Sequence, residues 1–300
     1  MALTFSNDDI KILANEAMGA LIASIPAAAS MGTRIESNGE LSFSDTVKVG
    51  VYTAGADAVA YNASSNNYGT VSDDDITYVD VVMNQRISRG FGINDTKVNK
   101  VNPLELARIN GQKIGKAMMT NVLNKVTIAN FAQVAHTGLA ANFDLDDVVD
   151  IWQKTEDLNF GDNRWLVLPP AYLAGLMKDN VLQTTESNVG LGNVLNAQLP
   201  QLSGMSIVMN KIVPNNSENL VGYATDGSGL CFASDIIRPN QAAIDAGQVI
   251  FEVAVHEGLG LALGVRHFYN NLVGDMVTNF EILFGSAVAQ ANGLARVASA

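Results

Sequence analysis

His256 and Glu257 begin the stretch HEGLG, which starts like the zinc-protease pattern H-E-x-x-H. In that pattern two histidines on one helix face hold the metal and the glutamate activates its water. Position 260 is glycine, so the second ligand is missing, and the other two histidines, His136 and His267, lie elsewhere in the chain. No metal site is expected. GLGLALG (258–264) spaces its glycines as G-x-G-x-x-x-G rather than as the dinucleotide fingerprint, and it sits in a strand pattern, so structural glycines are the better account. Asp73, Asp74 and Asp75 lack the spacing of a calcium loop and read as a solvated acidic turn. The single cysteine, Cys231, lies among apolar neighbours in GLCFAS and reads as a small buried hydrophobe. No phosphate loop and no G-x-S-x-G elbow occurs. Catalytic, cofactor-binding and metal-ligating sets are all absent from this reading, and an enzyme is not expected.

The 300 residues could form one large domain or two ordinary ones. Hydrophobic residues make up 48% of the chain, enough for a substantial core. Charged residues reach only 16%, against the usual ~25%. Low charge together with 26 glycines suits a chain whose surface is covered by other subunits. The net charge is −12 and no basic stripe is visible, which argues against tight nucleic-acid binding. AMGALIASIPAAAS (17–30) imitates a signal peptide, but acidic residues precede it and Pro26 interrupts it. It also falls short of the ~20 apolar residues of a membrane span. No targeting signal is read, and synthesis in a cytoplasm is expected.

The elements follow from periodicity. Residues 6–25 form an amphipathic helix, capped by Ser6 or Asn7, with Ile10, Leu13, Ala17, Leu21 and Ile25 in one stripe. Pro26 ends it, and 27–45 reads as an extended arm. TVKVGVY (46–52) alternates as a strand, with Val47, Val49 and Val51 on one face. A polar connection (53–75) leads to a second long strand over 76–93, so the pair is an extended hairpin that projects. The hairpin's Val81, Met83, Ile87 and Phe91 would then need a partner surface, as would Tyr61 and Tyr68 of the connection. Arg86 and Arg89 would face a neighbour's carboxylates or line a solvated strand face. The longest helix signal spans 102–131, with Asn102, Pro103 and Glu105 at the positions of a capping box and Leu106, Ile109, Ile114, Met118, Val122 and Val126 on one stripe. About 28 helical residues would span roughly 40 Å, a spine. A further helix covers 144–158, with Val148, Ile151, Trp152 and Leu158 inward. In RWLVLPPAYLAGLMKD (164–179), Pro169 holds Leu168 extended and Pro170 suits a first helical turn. The stretch is therefore a buried strand containing Trp165, a hard corner, and a helix packing by Tyr172, Leu173, Leu176 and Met177. The class is α+β, with helices and strands in separated blocks.

The order of parts resembles the major capsid proteins of tailed bacteriophages, the Hong Kong 97-type shell fold. The resemblance covers essentially the whole chain. It is carried by the hairpin feeding NPLELARINGQKIGKAM, the WLVLPPAYLAGLMKD unit, and the ending GLGLALGVRHFY and ILFGSAVAQ. It implies an N-terminal helix and arm (1–45), an E-loop hairpin (46–98), a peripheral domain with the spine helix (99–139), an axial domain (140–255), and returning strands with the C-terminus (256–300). It further implies a structural protein that self-assembles as pentamers and hexamers into an icosahedral shell around double-stranded DNA, without specific DNA binding. The expected partners are other copies of the chain, a scaffold protein, a portal and a cement protein. The expected location is the virion, after synthesis in the host cytoplasm, and no cofactor is expected. Some relatives weld subunits through an E-loop lysine, but 49–96 contains no lysine, so such a mesh is not expected. About 45 residues precede the hairpin, from which a separate scaffold is expected. Three rivals stand beside this reading. They are an encapsulin-like nanocompartment shell, a phage tail or adhesion component, and an α+β enzyme with an unrecognised site.

Overall fold

The computed structural model describes residues 6–36, 41–52, 76–94, 102–179 and 201–300. Helix α1 (Asn7–Ser24) starts in a capping box: Ser6 Oγ accepts from the Asp9 N–H, and the Asp9 carboxylate accepts from the Ser6 N–H at 2.9 Å. Ile10, Leu13, Ala17, Leu21 and Ile25 all turn inward. The arm expected from residue 27 begins instead as a 3-10 turn (Pro26–Ser30) followed by strand β1 (Gly32–Glu36). Ala27, Ala28 and Ser30 are buried, so small residues without a period serve as packing here.

Strands β2 (Thr46–Tyr52) and β3 (Ile76–Val82) pair antiparallel. Val47, Val49, Val51 and Val81 form their buried face. The single strand expected over 76–93 is two, because the chain breaks at Met83–Asn84 before β4 (Gln85–Asn94). At the break the Met83 N–H donates to Asp45 O at 2.8 Å and Met83 O accepts from Ser44 N at 2.9 Å, tying the corner to the start of β2. The polar connection, with Tyr61, Tyr68 and Asp73 to Asp75, lies outside the described residues.

Helix α2 (Pro103–Leu123) begins with Pro103 in its first turn and Asn102 as cap, whose Oδ1 accepts from Leu104 N at 3.1 Å. Glu105 does not complete a capping box but turns to Arg108, at 3.4 Å. The helix has 21 residues and spans roughly 31 Å, shorter than the expected spine. Its end is fixed from outside: Asn216 Nδ2 donates to Leu123 O at 3.0 Å and to Val126 O at 2.6 Å. Those carbonyls are satisfied by a side chain instead of another helical turn. Ile114, Met118 and Val122 are buried as expected, whereas Ile109 is exposed and Ala107, Asn110 and Gly111 carry the buried face toward the N-terminal end.

Beyond α2 come β5 (Val134–Thr137), α3 (Leu145–Asp157), β6 (Arg164–Leu168), α4 (Pro170–Met177), β7 (Gln201–Leu202), β8 (Met205–Met209) and β9 (Leu220–Thr225). These are followed by β10 (Leu230–Asp235), the short α5 (Gln241–Asp245), β11 (Ile250–His256), β12 (Leu261–Asn270), β13 (Asp275–Val288) and β14 (Leu294–Ala298). Asp144 caps α3 through a capping box with Asp147. Val148 and Ile151 turn inward, but Trp152 is partly exposed, and Thr155 takes the inward position one turn on. The double proline acts as its chemistry dictates: β6 ends at Leu168, extended Pro169 stands at the cap position, and Pro170 opens α4. Trp165 lies in β6, paired with Thr225 and Ser206.

One sheet runs β1-β10-β13-β12-β11, with β4 added on β13. Helices α1 and α2 contribute to the core beneath it. The other runs β5-β14-β9-β6-β8-β7, and Phe143, Val148, Ile151, Tyr172 and Leu176 fill its core. The pairings divide the chain differently from the expected 140–255 block. β10 and β11 join the first sheet, and the late strand β14 closes into the second. Short-range patterns cannot show this, because both exchanges rest on pairings between distant segments.

Candidate functional site

The titratable residues singled out from the sequence have structural jobs. His256 stands ahead of a 3-10 turn (Glu257–Leu259), and its Nδ1 accepts from Leu259 N at 3.2 Å. Gly260 closes that turn at φ 62°, a left-handed position suited to glycine. His136 Nδ1 lies 3.5 Å from Asp147, and its ring sits edge-on to Phe143. No group of three metal-ligating side chains occurs among the described residues. Cys231 is fully buried, and burial pushes its thiol up to about 11. A thiol reagent at pH 8 is therefore expected to leave Cys231 untouched in the folded chain and to react fully after unfolding in guanidinium. Fast labelling of the native protein would refute this.

His267 is buried on β12 with Nδ1 2.9 Å from Thr278 Oγ1, and burial holds its pKa below the usual value of 6.5. The unfolded chain thus takes up this proton first as pH falls. Stability contributed by the neutral ring is complete above about 6.5 and is lost as pH falls from there toward the native pKa. Melting temperature is expected to decline as pH falls below 6.5, and less steeply in His267→Asn. Equal slopes in the two proteins would remove His267 as a cause.

The ionic centre lies on the first sheet. Glu281, on β13, is 1% exposed and sits between two arginines from the flanking strands. Arg86 Nη2 on β4 donates to Glu281 Oε2 at 2.7 Å. Arg266 on β12 brings Nε against Oε1, an ion pair whose alignment is not that of a hydrogen bond, while its Nη2 donates to Ile237 O at 2.8 Å. Register explains the cluster. Glu281 stands opposite Ser88 on one side and Gly264 on the other, so both arginines reach it as diagonal neighbours two residues away. Arg89 Nε donates to Asn110 Oδ1 on α2 at 3.1 Å, fastening the same strand to the helix.

This placement removes Val81 and Met83 from the contact set expected for the hairpin. Val81 and Met83 are fully buried within the chain, against Cys231, Ala233 and Leu283, and have no surface to offer a neighbour. Ile87 and Phe91 are half-buried against the main core, with the Phe91 ring 6.1 Å from that of Phe280. Arg86 and Arg89 find partners in their own chain. The physical reason is that Val81 of β3 and Met83 at the corner pack on Cys231, Ala233 and Leu283 of the main sheet, and β4 is itself a strand of that sheet, so the apolar residues of both already have a core.

Other apolar residues of the hairpin and of a later turn are exposed. Tyr78 and Val82 point outward from β3, and Leu272 and Val273 stand at the turn between β12 and β13. No sequence pattern singled out Leu272, although a leucine–valine pair between Asn271 and Gly274, where a turn calls for polar residues, was a visible signal.

No family model matches the chain, and no curated protein matches its sequence. Solved structures do match its fold. A chain of Mycobacterium phage Che8 superposes with a TM-score of 0.53 and 15% identity, over 84% of each chain. The capsid structure of the cyanophage P-SCSP1u gives 0.56 and 10%, covering 90% of this chain and 86% of the other. A virus-like particle from Pyrococcus furiosus gives 0.50 and 12%, covering 94% and 98%. The chain is an α+β protein with the fold found in phage capsid structures.

Proposed function

We propose that this chain is a shell-forming structural protein, the major capsid protein of a tailed bacteriophage. The observation that carries the proposal is a fold shared across 84–90% of the chain with phage proteins, including a cyanophage capsid. In the Hong Kong 97-type plan, β2 and β3 form the base of the E-loop. The first sheet with α2 forms the peripheral domain, and the second sheet with α3 and α4 forms the axial wedge. Copies associate as pentamers and hexamers and close into an icosahedral shell around double-stranded DNA, with scaffold, portal and cement proteins as partners and the virion as location. A net charge of −12 suits a wall that must not grip the DNA moving past it. Many modest contacts per subunit make assembly cooperative.

Electron microscopy with light scattering, on the chain expressed alone and with its genomic neighbours, tests this proposal. Closed shells, or rings of five and six, are expected. Particles that package nucleic acid support the capsid, whereas particles filled with a cargo enzyme support the encapsulin-like alternative. A monomer under every condition overturns both.

A further inference from the structure

The dipeptide Asn-Gly stands at 110–111 and at 292–293 in opposite surroundings, and a third copy, Asn38–Gly39, lies outside the described residues. An asparagine followed by glycine converts to an acid without an enzyme when the next backbone nitrogen reaches the side-chain carbonyl, and glycine puts no Cβ in the way. The reaction needs a free amide and a peptide group able to rotate. Asn110 has neither. It is 5% exposed in α2, its Oδ1 accepts from Arg89 Nε at 3.1 Å, and its Nδ2 donates to Leu106 O at 2.7 Å. Asn292 is exposed in the turn joining β13 to β14, and its amide has no hydrogen-bond partner among the described residues. The Gly293 N–H donates to Gln290 O at 3.2 Å, a long bond. The Thr225 hydroxyl holds Gly293 O at 2.7 Å, but that oxygen belongs to the next peptide group and need not move. Position 293 requires glycine for a separate reason, because a Cβ there would overlap Ser228 Oγ. Packing thus places a reactive dipeptide in a turn that leaves its asparagine free.

We infer that Asn292 is a site of spontaneous deamidation, and that the acid formed loosens the joint between the two sheets. The Gly293 amide nitrogen gives up its proton and bonds to Asn292 Cγ. The Cγ–Nδ2 bond breaks, and Nδ2 leaves with that proton as ammonia. Water then opens the cyclic imide at either carbonyl. Opening at Cγ gives aspartate; opening at the backbone carbonyl gives isoaspartate, whose chain runs through the former side chain. Either product adds a carboxylate to the wall of a cavity of about 760 Å³ that Asp162 and Asp226 already line and that no Lys or Arg lines. Two crossings between the sheets, β9 to β10 and β13 to β14, meet there. Asp226 accepts from Ser228 N at 2.8 Å and from Gly161 N at 3.3 Å, tying the first crossing to the loop before β6. A third negative charge repels the carboxylate that makes this tie.

The test uses the full-length chain, incubated at pH 8 and digested at intervals. Mass spectrometry counts the acid in each Asn-Gly peptide, and isoaspartate methyltransferase labelling gives a second readout. In the native chain Asn292 is expected to convert about tenfold faster than Asn110 or more, because Asn110 reacts only when α2 opens. In guanidinium the two rates should meet. Equal rates in the native chain, or an Asn292 that stays amidated, would overturn the inference. Asn292→Gln, whose longer side chain closes the ring far more slowly, is expected to stop conversion at that peptide and to keep the wild-type melting curve. Asn292→Asp is expected to melt roughly 1–3 °C below wild type at low salt, with a smaller gap at high salt as the repulsion is screened. An aspartate variant that melts with wild type at low salt would overturn the effect on the joint.

Discussion

Replacing Glu281 by alanine is expected to lower the stability of the unassembled subunit by about 3 kcal/mol, near the lower end of the ~3–5 kcal/mol typical when one partner of a buried ion pair is removed. The lower end applies because the two arginines are not equally trapped. Arg86 is 45% exposed and can swing into water, whereas Arg266 is 22% exposed and remains held to the Ile237 carbonyl. The loss therefore comes chiefly from Arg266, left without its carboxylate, and from like charge where a counter-ion stood. Glu281→Gln keeps the volume and an acceptor and is expected to fall between alanine and wild type. Arg86→Met is expected to cost least, because Glu281 keeps Arg266 and the lost partner was half in water. Urea unfolding of the three variants checks this order, with an unchanged slope expected if only stability moves. An alanine variant within 1 kcal/mol of wild type would show that the cluster is solvated enough to dispense with its acid. The effect extends to the hairpin, because Arg86 lies on the strand that follows β3 and its ion pair fixes that strand to the sheet centre.

Local chemistry was the legible part of this chain. Ser6 with Asp9, the valine alternation in β2, Asn102–Pro103, and the double proline at 169–170 each state a backbone outcome within a few residues. What the sequence hid depends on distant partners. The end of α2 is set by Asn216, nearly a hundred positions away, so the apolar stripe running on to Val126 overstated the helix. Trp152 looked inward by size and spacing, but Thr155 suits the space beside Arg164, whose Nη1 donates to its hydroxyl at 3.2 Å. The projecting hairpin was half right. β2 and β3 pair as expected, but Met83–Asn84 breaks the strand, and β4 beyond it becomes part of the main sheet rather than a free arm. The ionic cluster could have been found. Glu281 stands alone in NFEILFG, and a carboxylate inside an apolar strand demands a buried cation. The partner of Arg86 lies in its own chain rather than on a neighbour, and the register joining β4 to β13 that brings the two together is invisible to local pattern.

Gly111→Val is expected to cost about 3 kcal/mol or more, the upper end of ordinary overpacking. Helices α1 and α2 cross so closely that a Cβ at Gly111 would overlap the Ala17 carbonyl group, and one at Gly115 would meet Ser24 Oγ and Leu21 O. The Ala17 atoms are backbone and cannot rotate away, so α1 must shift as a body, loosening Leu13, Ala14, Ala17 and Leu21 from the core. Charge does not hold this seam. Arg108 reaches Glu16 at 2.8 Å, but both side chains are substantially exposed, and such pairs contribute about 0–1 kcal/mol. Gly111→Ala makes the sharper test, because helix propensity alone would make it stabilising by about 1 kcal/mol. Overlap is expected to reverse that sign. Gly19→Ala supplies the control on α1, where a Cβ would meet nothing within 4 Å, so the propensity gain should appear undiminished. Denaturant melts of the three variants separate the two effects. If Gly111→Ala stabilises as much as Gly19→Ala, the helices part freely and the close crossing is not what holds α1 in place. If the signs oppose, the N-terminal helix is fixed to α2 by the absence of two side chains.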